Sequence, residues 1–593
     1  MTNMATPVDR GFMVAAIDLG TTYSSHAFSF KSDYLRDPLQ IYAGRWHSGN
    51  DLSLKTSSVL LLNPDKSFNS FGFEAENKFT DMAEDDTMKD ELETFYYIDS
   101  FKMILYQDTE SDHIQNGIRR DMEIDDIFGK TISLMDVIVK SIWYLKQHLL
   151  DELNSRGFET GVKDVRWVIT VPAVWTDQAK QIMRECAIKA GIPDDVLLLA
   201  YEPEVAALFC KQLPLDQVSG ANRNIFQEGD GIMVVDLGGG TADITVQEVS
   251  GNKMRSTFTV SGGPWGGARV NAAFISFLIE TFGNEVIRRL KRTETGEFLE
   301  LIRKFEVKKR NTDKLREGND LVIRLPLALL QLYEEFNDKV YQSSSDCVTL
   351  KKDKMHIKPF KFDSFFRETI SNITEHLKSL LDGNKISVST ILMVGGFSEC
   401  KLVSDAIKEA FPRHHVVIPM ESGISVLKGA VLYGHRPESI TARYCHYSIG
   451  ISLNKLYDPT EHVGAATFKS GETVKCGSCF ETFFRQGRIV EMGEKETTEV
   501  HSDHRASDRE MWKYDVKEIE IYTSKKSNTK FVTEAGCNRH AIITIDPPEG
   551  GWPEIVDGKI EMEVGGTEVI VRYIDHISQK STVAKLDSLT CFG

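Results

Sequence analysis

Hydrophobic and polar positions alternate in two different ways along the chain. Up to about residue 433, short apolar runs are followed by segments whose apolar side chains recur at helical spacing. Leu134, Ile138 and Ile142 have that spacing, and the apolar, β-branched run Val165–Val171 that follows predicts a buried strand. This repeated exchange of strand and helix signals predicts an α/β fold.

The pattern changes after residue 444. Short runs with a strict period of two follow, such as EIEIYT (518–523) and EVIVRY (568–573), separated by glycine, proline and charge clusters. This pattern of short alternating runs is typical of an all-β segment. The expected organisation is a domain with the α/β pattern over residues 11–435, a linker over residues 436–444, and a smaller β-rich domain over residues 445–593.

Composition narrows the class of protein. The 593 residues are 41% hydrophobic and 26% charged, which is typical of a globular chain, and no apolar run approaches the length that spans a bilayer. Nine scattered cysteines fit reduced thiols, so we expect a cytoplasmic location, with the nucleus as a second compartment. A net charge of −17 argues against nucleic acid or acidic lipid as the main partner, but not against a nucleotide.

An aspartate followed by a turn of small residues occurs twice. The segments are VAAIDLGTTYSSHAFSF (14–30) and VVDLGGGTADITVQEV (234–249). Two copies a domain's length apart predict two similar halves that face each other across a cleft. Consecutive backbone N–H groups in such turns form a concave site for an anion, and the missing Cβ atoms of glycine let phosphate oxygens approach closely. The carboxylate oxygens of the aspartates are suitable ligands for Mg²⁺. We therefore predict a site for a triphosphate with Mg²⁺. The common alternatives are not supported, because the sequence has neither a Walker loop nor a dinucleotide-binding glycine motif between a strand and a helix.

With these motifs the chain resembles the actin-like ATPase superfamily, and within it the nucleotide-binding domain of the 70-kDa heat-shock protein family. The matching segments, in the family's order between residues 14 and 433, are VITVPAVWTDQAKQIMRECAIKAGI (168–192), LLAYEPEVAALF (198–209), FEVKKRNTD (305–313) and ILMVGGFSECKLV (391–403). The resemblance implies an actin-like ATPase domain of two similar halves around a nucleotide cleft. It also implies ATP or ADP, with Mg²⁺, as the ligands.

The resemblance assigns a role to each matching residue. Those implied to be catalytic are Lys102, Glu202, Asp236, Thr241 and Asp243, with Lys102 at the γ-phosphate and Glu202 beside the metal and the attacking water. Those implied to bind the nucleotide are Asp18, Thr21, Thr22, Tyr23, Gly238, Gly239, Gly240, Thr241, Gly267, Glu306, Lys309, Arg310, Gly395, Gly396 and Phe397. Asp18 and Asp236 would hold Mg²⁺ through its water shell.

Two of these assignments have a simpler alternative. The residues around Lys102 differ from the family pattern, so an ordinary surface lysine is the alternative there. Glu306, Lys309 and Arg310 share one helix face at i, i+3 and i+4, and without the resemblance they would be interpreted as a solvated ion-pair helix.

The chain also departs from the family pattern. Ala268 and Arg269 stand where the family has an acidic pair, and Gly423-Ile424-Ser425 replaces an Asp-Glu-Ala stretch. The linker is not leucine-rich and acidic, and no long helical lid is evident after it. These features resemble the divergent heat shock 70 kDa protein 12 group of the family. The C-terminal domain then resembles a truncated substrate-binding domain, and co-chaperones are not implied.

A second, weaker pattern is a C-x₂-C pair, Cys476 and Cys479, followed by His501 and His504. It suggests zinc, but the histidine spacing is shorter than in common fingers, and two unrelated features of a β domain are the favoured interpretation.

Three functions remain open from the sequence. The first is a slow Mg-dependent ATPase that couples its nucleotide state to a protein client or signalling partner through the β domain. The second is a nucleotide-binding adaptor or scaffold with negligible hydrolysis, which the altered linker favours. The third is a small-molecule kinase of the same superfamily, which the adenosine segments and the lack of an obvious acceptor base disfavour.

Overall fold

The structure is a computed structural model, and it contains both helices and strands in quantity. It describes residues 11–48, 51–85, 87–88, 91–106, 117–219, 225–258, 260–310, 318–338, 341, 346–382, 387–470, 472–503, 510–577, 579, 581–583 and 585–589. The α-helices within them are α1 Lys31–Arg36, α2 Phe73–Glu84, α3 Leu134–Ser155, α4 Asp177–Lys189, α5 Glu202–Gln212, α6 Gly267–Phe282, α7 Asn284–Thr293, α8 Thr295–Arg310, α9 Leu327–Asn337, α10 Pro359–Ser364, α11 Arg367–Asp382, α12 Lys401–Ala410 and α13 Ser422–His435.

Strands occur along the whole described chain. Those before residue 420 are β1 Met13–Leu19, β2 Tyr23–Phe30, β3 Tyr42–Ala43, β4 Trp46–Ser48, β5 Asp51–Ser53, β6 Thr56–Ser57, β7 Leu60–Leu62, β8 Phe68–Phe71, β9 Tyr96–Ile98, β10 Glu123–Asp125, β11 Thr131–Ser133, β12 Val165–Val171, β13 Leu197–Tyr201, β14 Val218–Ser219, β15 Gly231–Leu237, β16 Ala242–Ser250, β17 Lys253–Ser256, β18 Ser261–Gly263, β19 Leu321–Arg324, β20 Val348–Lys351, β21 Lys354–Ile357, β22 Thr390–Val394 and β23 His415–Pro419. The later ones are β24 Ile440–Tyr444, β25 Ser448–Leu456, β26 Thr467–Ser470, β27 Thr473–Phe484, β28 Ile489–Glu491, β29 Lys495–Asp503, β30 Lys517–Ser524, β31 Cys537–Ile545, β32 Ile555–Gly565, β33 Glu568–Asp575, β34 Ser581–Val583 and β35 Lys585–Asp587.

Two sheets carry the repeated motif, and they share one strand pattern. The first has the order β13-β12-β1-β2-β3, and the second contains the run β23-β22-β15-β16. In each sheet, the strand that ends in the aspartate has two parallel strands on one side and an antiparallel partner on the other. The register differs at one important place: Asp18 lies opposite Ser25, whereas Asp236 lies opposite Asp243.

Helices α5 and α13 lie between these two sheets. Their small and branched side chains join one buried cluster with Val14 of β1 and Val234 of β15. The first residue of α5 is Glu202, which is therefore held at the inner end of the layer between the sheets.

The sequence predicted these local elements well. Strand β12 has the predicted bounds, and the Thr176 side chain accepts a hydrogen bond from the Ala179 amide as the cap of α4. Helix α4 ends at Lys189, shortly before Gly191, and α5 begins at Glu202 as the Glu-Pro pair predicts. The predicted mixed α/β class is confirmed.

After residue 444 the described chain forms strands and one short helical turn. Two sheets, β26-β27-β25-β30-β31-β35 and β29-β32-β33-β34, enclose a buried cluster that includes Ile543, Ile560 and Trp552. Strand β24 lies within residues 436–444, and it pairs with both β17 and β28. The segment predicted as a linker is therefore also a strand of the second motif-bearing sheet.

No single described helix is long and apolar enough to cross a membrane. Helices α6 and α7 reach the required composition only as a pair, and they are bent by 115° to each other.

Candidate functional site

A cavity of about 1350 Å³ opens between the two motif-bearing sheets. Every site residue that the sequence predicted lines this cavity except Asp243. Asp243 lies immediately behind the wall, where its Oδ2 accepts a hydrogen bond of 2.7 Å from the Thr241 hydroxyl. Residues from seven separate segments of the chain, at 18–23, 102, 202, 236–241, 267, 306–310 and 395–397, thus meet at one place.

The two small-residue turns face each other across the cavity. A Cβ atom added at Gly239 would lie 2.1 Å from the Thr22 hydroxyl, and one at Gly240 would lie 2.7 Å from the Thr21 hydroxyl. Any side chain there would force the turns apart, so only glycine permits this approach.

The second turn is fixed from behind by α6. The amides of Gly267 and Ala268 donate to the carbonyls of Gly238 and Gly239, at 3.1 and 2.8 Å. Among the described residues, the amides of Gly239 and Gly240 donate to no protein acceptor. A turn whose carbonyls are occupied and whose amides are not is suited to an anion.

Carboxylates and ammonium groups crowd the base of the cavity. Lys102 Nζ lies 2.8 Å from Glu202 Oε1; the Lys102 side chain is buried and that of Glu202 is largely buried. Lys55 Nζ lies 2.9 Å from Asp18 Oδ2, and the Thr170 hydroxyl donates to the other oxygen of Asp18. No described cation lies within ion-pair distance of Asp236.

Burial and mutual repulsion perturb the pKa values of these groups. Burial, together with the carboxylates of Glu202 and Asp243, raises the pKa of Asp236 well above its usual range. Burial also raises the pKa of Glu202, to about 7, even beside Lys102. Burial opposes ionisation of Asp18 as well, but the ammonium groups of Lys55 and Lys102 hold its pKa below the usual value. The site therefore has more negative charge than its own cations can compensate.

A second group of polar residues comes from one face of α8. Lys309 Nζ is buried and donates to the Gly267 carbonyl at 2.9 Å and to Glu306 at 2.6 Å. The Arg310 guanidinium pairs with Glu306 and lies over the Tyr23 ring, 4.5 Å from its centroid. The i, i+3, i+4 face is thus part of the cavity wall, and not simply a solvated surface.

Opposite this face, a glycine turn closes on the second sheet. Gly395 has a φ of 83°, and a Cβ atom there would lie 2.3 Å from Asp236 Oδ1. Only glycine combines that backbone conformation with that contact. Phe397 follows, and its buried ring lies 6.0 Å from Lys309 Nζ.

Sequence reasoning missed several residues of the wall, among them Lys55, Trp175, Asn271 and Glu399. Asn271 follows Gly267 by one helical turn, so that spacing could have indicated it. Glu399 accepts a hydrogen bond of 3.0 Å from the Gly423 amide and so connects two loops that are distant in sequence. Nothing in the sequence around Lys55 indicates its contact with Asp18.

The cysteines and the described histidine of the possible zinc motif do not come together in the structure. Cys476 and Cys479 lie beside His462, whereas His501 contacts Asp557 in the four-stranded sheet. His504 lies outside the described residues.

Comparisons with known proteins identify a matching family model and similar full-length proteins. The family model for "Hsp70 protein" matches residues 145–435. Heat shock 70 kDa protein 12A of Mus musculus is 29% identical, over 99% of this chain and 93% of its own length. Heat shock 70 kDa protein 12B of Homo sapiens is 28% identical, over 98% of this chain and 91% of its own length. Residues 145–435 therefore belong to the 70-kDa heat-shock protein family, and nearly the whole chain is similar to the 12A and 12B proteins.

Proposed function

We propose that this protein binds ATP in the central cavity and hydrolyses it slowly in the presence of Mg²⁺. The observation that carries the proposal is the group of four carboxylates, Asp18, Glu202, Asp236 and Asp243, below two opposed turns of glycine and threonine. A site that is acidic at its base and rich in unoccupied amides at its walls suits a divalent cation with a phosphate chain.

The donor set fits Mg²⁺. This ion binds hard oxygen ligands and keeps several waters. Burial and the neighbouring carboxylates raise the pKa of Asp236, and a bound divalent cation would offset that effect. Asp18 and Asp236 would hold it through those waters. When bound, Mg²⁺ neutralises charge on the phosphates.

The walls suggest the orientation of ATP. The triphosphate would lie between the turns at residues 20–23 and 238–241, and the adenosine between α8 and Gly395-Gly396. Arg310 is half exposed, at 50%, while one face rests on Tyr23. Its other face can therefore stack on adenine, and Glu306 and Lys309 would reach the ribose.

Hydrolysis needs a group that exchanges protons with water near neutral pH. The pKa of Glu202 is about 7, raised mainly by burial, which suits it to orient the attacking water and accept its proton. Lys102 would meet the γ-phosphate, and Thr241 with Asp243 would steady the phosphate and the water. Because Glu202 is tied to Lys102, we expect turnover to be slow.

We further propose the two-domain organisation: two similar halves around the nucleotide within residues 11–435, a linker over 436–444, and a β-rich partner-binding domain over 445–593. One contact supports coupling between them. Glu202 faces Lys102 in the cavity, while Glu204, two residues further along α5, pairs with Arg443 of the linker at 3.1 Å. A shift of α5 on nucleotide binding would thus move the linker.

Partners of this protein are proposed to be protein clients or signalling proteins, in the cytoplasm and the nucleus. The net charge of −17 argues against nucleic acid, and the departures from the family pattern leave co-chaperones without support.

A nucleotide-binding adaptor is the second candidate, and one observation favours it. The linker strand β24 is paired on both sides, with β17 and β28. A linker fixed in this way would hold the C-terminal region in one position whatever nucleotide is bound.

Single-turnover ATP cleavage tests the proposal, with purified protein in excess over labelled ATP and Mg²⁺. Slow conversion of bound ATP to ADP and phosphate supports the ATPase, and ATP that binds but stays uncleaved supports the adaptor. No binding at all would overturn both. Added sugars that accelerate ATP consumption would instead indicate a small-molecule kinase.

A further inference from the structure

Two buried cysteines of the six-stranded sheet face the same way although three positions separate them. In a regular strand, residues three apart point to opposite faces. Here β27 contains an extra residue: Leu453 lies opposite Cys479 and Lys455 opposite Cys476, so two steps on β25 match three on β27. Ser478, with φ of 61°, forms this bulge.

The bulge brings the two thiols together. Cys479 Sγ lies 3.2 Å from Cys476 Sγ, the cysteines are 3% and 0% exposed, and both are free thiols. A left-handed serine in a strand is unfavourable, and such conformations persist mainly where they position a functional group.

A histidine completes the group from a different element. His462 lies in the loop between β25 and β26, and its ligand nitrogen lies within 4.8 Å of both sulfur atoms. The loop fixes the ring: the Asp458 amide donates to His462 Nδ1 at 2.9 Å, and the His462 amide donates back to the Asp458 carbonyl. Two thiols and an imidazole therefore converge from sequence positions that no local motif connects.

We propose that Cys476, Cys479 and His462 bind a zinc ion, with water in the remaining coordination position. Two thiolate ligands and one imidazole are a donor set that zinc prefers, and that magnesium and calcium do not. None of the three residues lines the ATP cavity, so this proposal stands independently of the proposed ATPase.

Zinc binding would change the loop around His462. Nδ1 accepts the Asp458 amide proton, which places the proton of the neutral ring on Nε2. Coordination through either nitrogen therefore requires this hydrogen bond to be released. We expect residues 458–462 to rearrange when zinc binds and the thiols to lose their protons.

The test uses the reduced full-length chain. After dialysis against zinc and then against metal-free buffer, we expect stoichiometric zinc by atomic emission. Cobalt(II) as a replacement should give a thiolate-to-cobalt charge-transfer band. Cys479→Ser should abolish that band, and His462→Gln, on an external loop, should keep the fold and lower zinc affinity at least about tenfold.

Two variants serve as controls. His501→Gln and Cys537→Ser remove the same residue types elsewhere in the C-terminal region and should retain zinc. Three results would overturn the proposal: no zinc retained by the reduced protein, the same affinity in wild type and His462→Gln, or loss of zinc in His501→Gln. A Cys476–Cys479 disulfide that forms in air, in a protein that binds no zinc, would show a redox pair instead.

Discussion

Lys102 and Glu202 form a largely buried ion pair at the base of the cavity, with 2.8 Å between Nζ and Oε1 and side-chain exposures of 5% and 12%. The pair joins a short helical turn, Phe101–Leu105, to the start of α5, which lies a hundred residues further along the chain. Because two buried charges are tolerated only when they are paired, each residue fixes the position of the other.

Removing the cation of this pair should destabilise the fold. We expect Lys102→Met to lower the free energy of unfolding by about 3–5 kcal/mol, because it leaves Glu202 buried without a partner. Denaturant titration measures this loss. The double variant Lys102→Met/Glu202→Gln should recover most of it, since no unpaired charge remains. Equal losses in the single and double variants would contradict a mutual pair. Both should cleave ATP at least about tenfold more slowly than wild type.

Asp236 should reduce the stability of the nucleotide-free protein. Its pKa is raised above the usual 3.8 by burial and by neighbouring carboxylates, so the folded state binds its proton more tightly than the unfolded state. This contribution to stability is present at acidic pH and is lost as pH rises above 3.8 towards the raised pKa. Without metal and nucleotide, Asp236→Asn should therefore be more stable than wild type at neutral pH, by at least about 1 kcal/mol.

Mg-ATP should reverse that order. Wild type should gain stability with ligand concentration, whereas Asp236→Asn should gain little, because the metal contact is weakened. Thermal unfolding with and without Mg-ATP measures both effects. An Asp236→Asn protein that gains as much as wild type would remove Asp236 from the metal site.

The approach of the two turns should be sensitive to a single methyl group. Gly239→Ala would place Cβ 2.1 Å from the Thr22 hydroxyl, so we expect the turns to separate and ATP affinity to fall by at least about tenfold. Gly238→Ala is the matched comparison, because its Cβ would lie 3.5 Å from the nearest atom, an ordinary contact. Isothermal titration with ATP compares the two, and a similar decrease in both would refute the steric argument.

The ion pair between Glu204 of α5 and Arg443 of the linker should stabilise the fold and couple the nucleotide state to the C-terminal region. Arg443 and Glu204 are 11% and 4% exposed, so Arg443→Met should cost about 3–5 kcal/mol. The exposed pair of Arg119 with Asp121 provides a control, and Arg119→Met should cost under about 1 kcal/mol. If the contact transmits the nucleotide state, ATP should alter proteolysis of the C-terminal region in wild type and in Arg119→Met, but not in Glu204→Gln.

A pair of histidines, one buried and one half-buried, should make the fold sensitive to acid. His26 Nε2 and His148 Nδ1 are 2.7 Å apart, and burial lowers both pKa values below the usual 6.5. The unfolded chain takes up these protons more readily, so the stabilisation is present above pH 6.5 and is lost as pH falls below it. His148→Gln should show a smaller loss in denaturant midpoints measured from neutral to mildly acidic pH. The exposed His501→Gln variant should behave as wild type.

Local sequence signals predicted much of the fold because they act over a few residues. The cap at Thr176, the start of α5 at Glu202 and the β12 run Val165–Val171 depend on backbone chemistry within one turn or strand. The repeated aspartate motif also led to the cavity, because both copies lie at the inner ends of their strands.

Contacts between distant segments could not be predicted in this way. Lys55 reaches Asp18 from a separate strand region, and the cysteine pair meets His462 rather than the histidines that follow it in sequence. The bulge at Ser478, which turns Cys476 and Cys479 to one face, depends on the register of two strands. Such placements are set by sheet pairing, which period and spacing alone do not encode.

Strand β24 determines how the chain can be divided for experiments. A fragment ending at residue 435 would leave β17 as an open edge of its sheet, with unpaired amides and carbonyls that favour aggregation. A fragment ending at Tyr444 would cover β17 but would expose β24 instead, since its other partner, β28, comes from residues 489–491. Truncation is therefore a poor way to isolate the region proposed to bind ATP, and point variants in the full-length chain are the better tool.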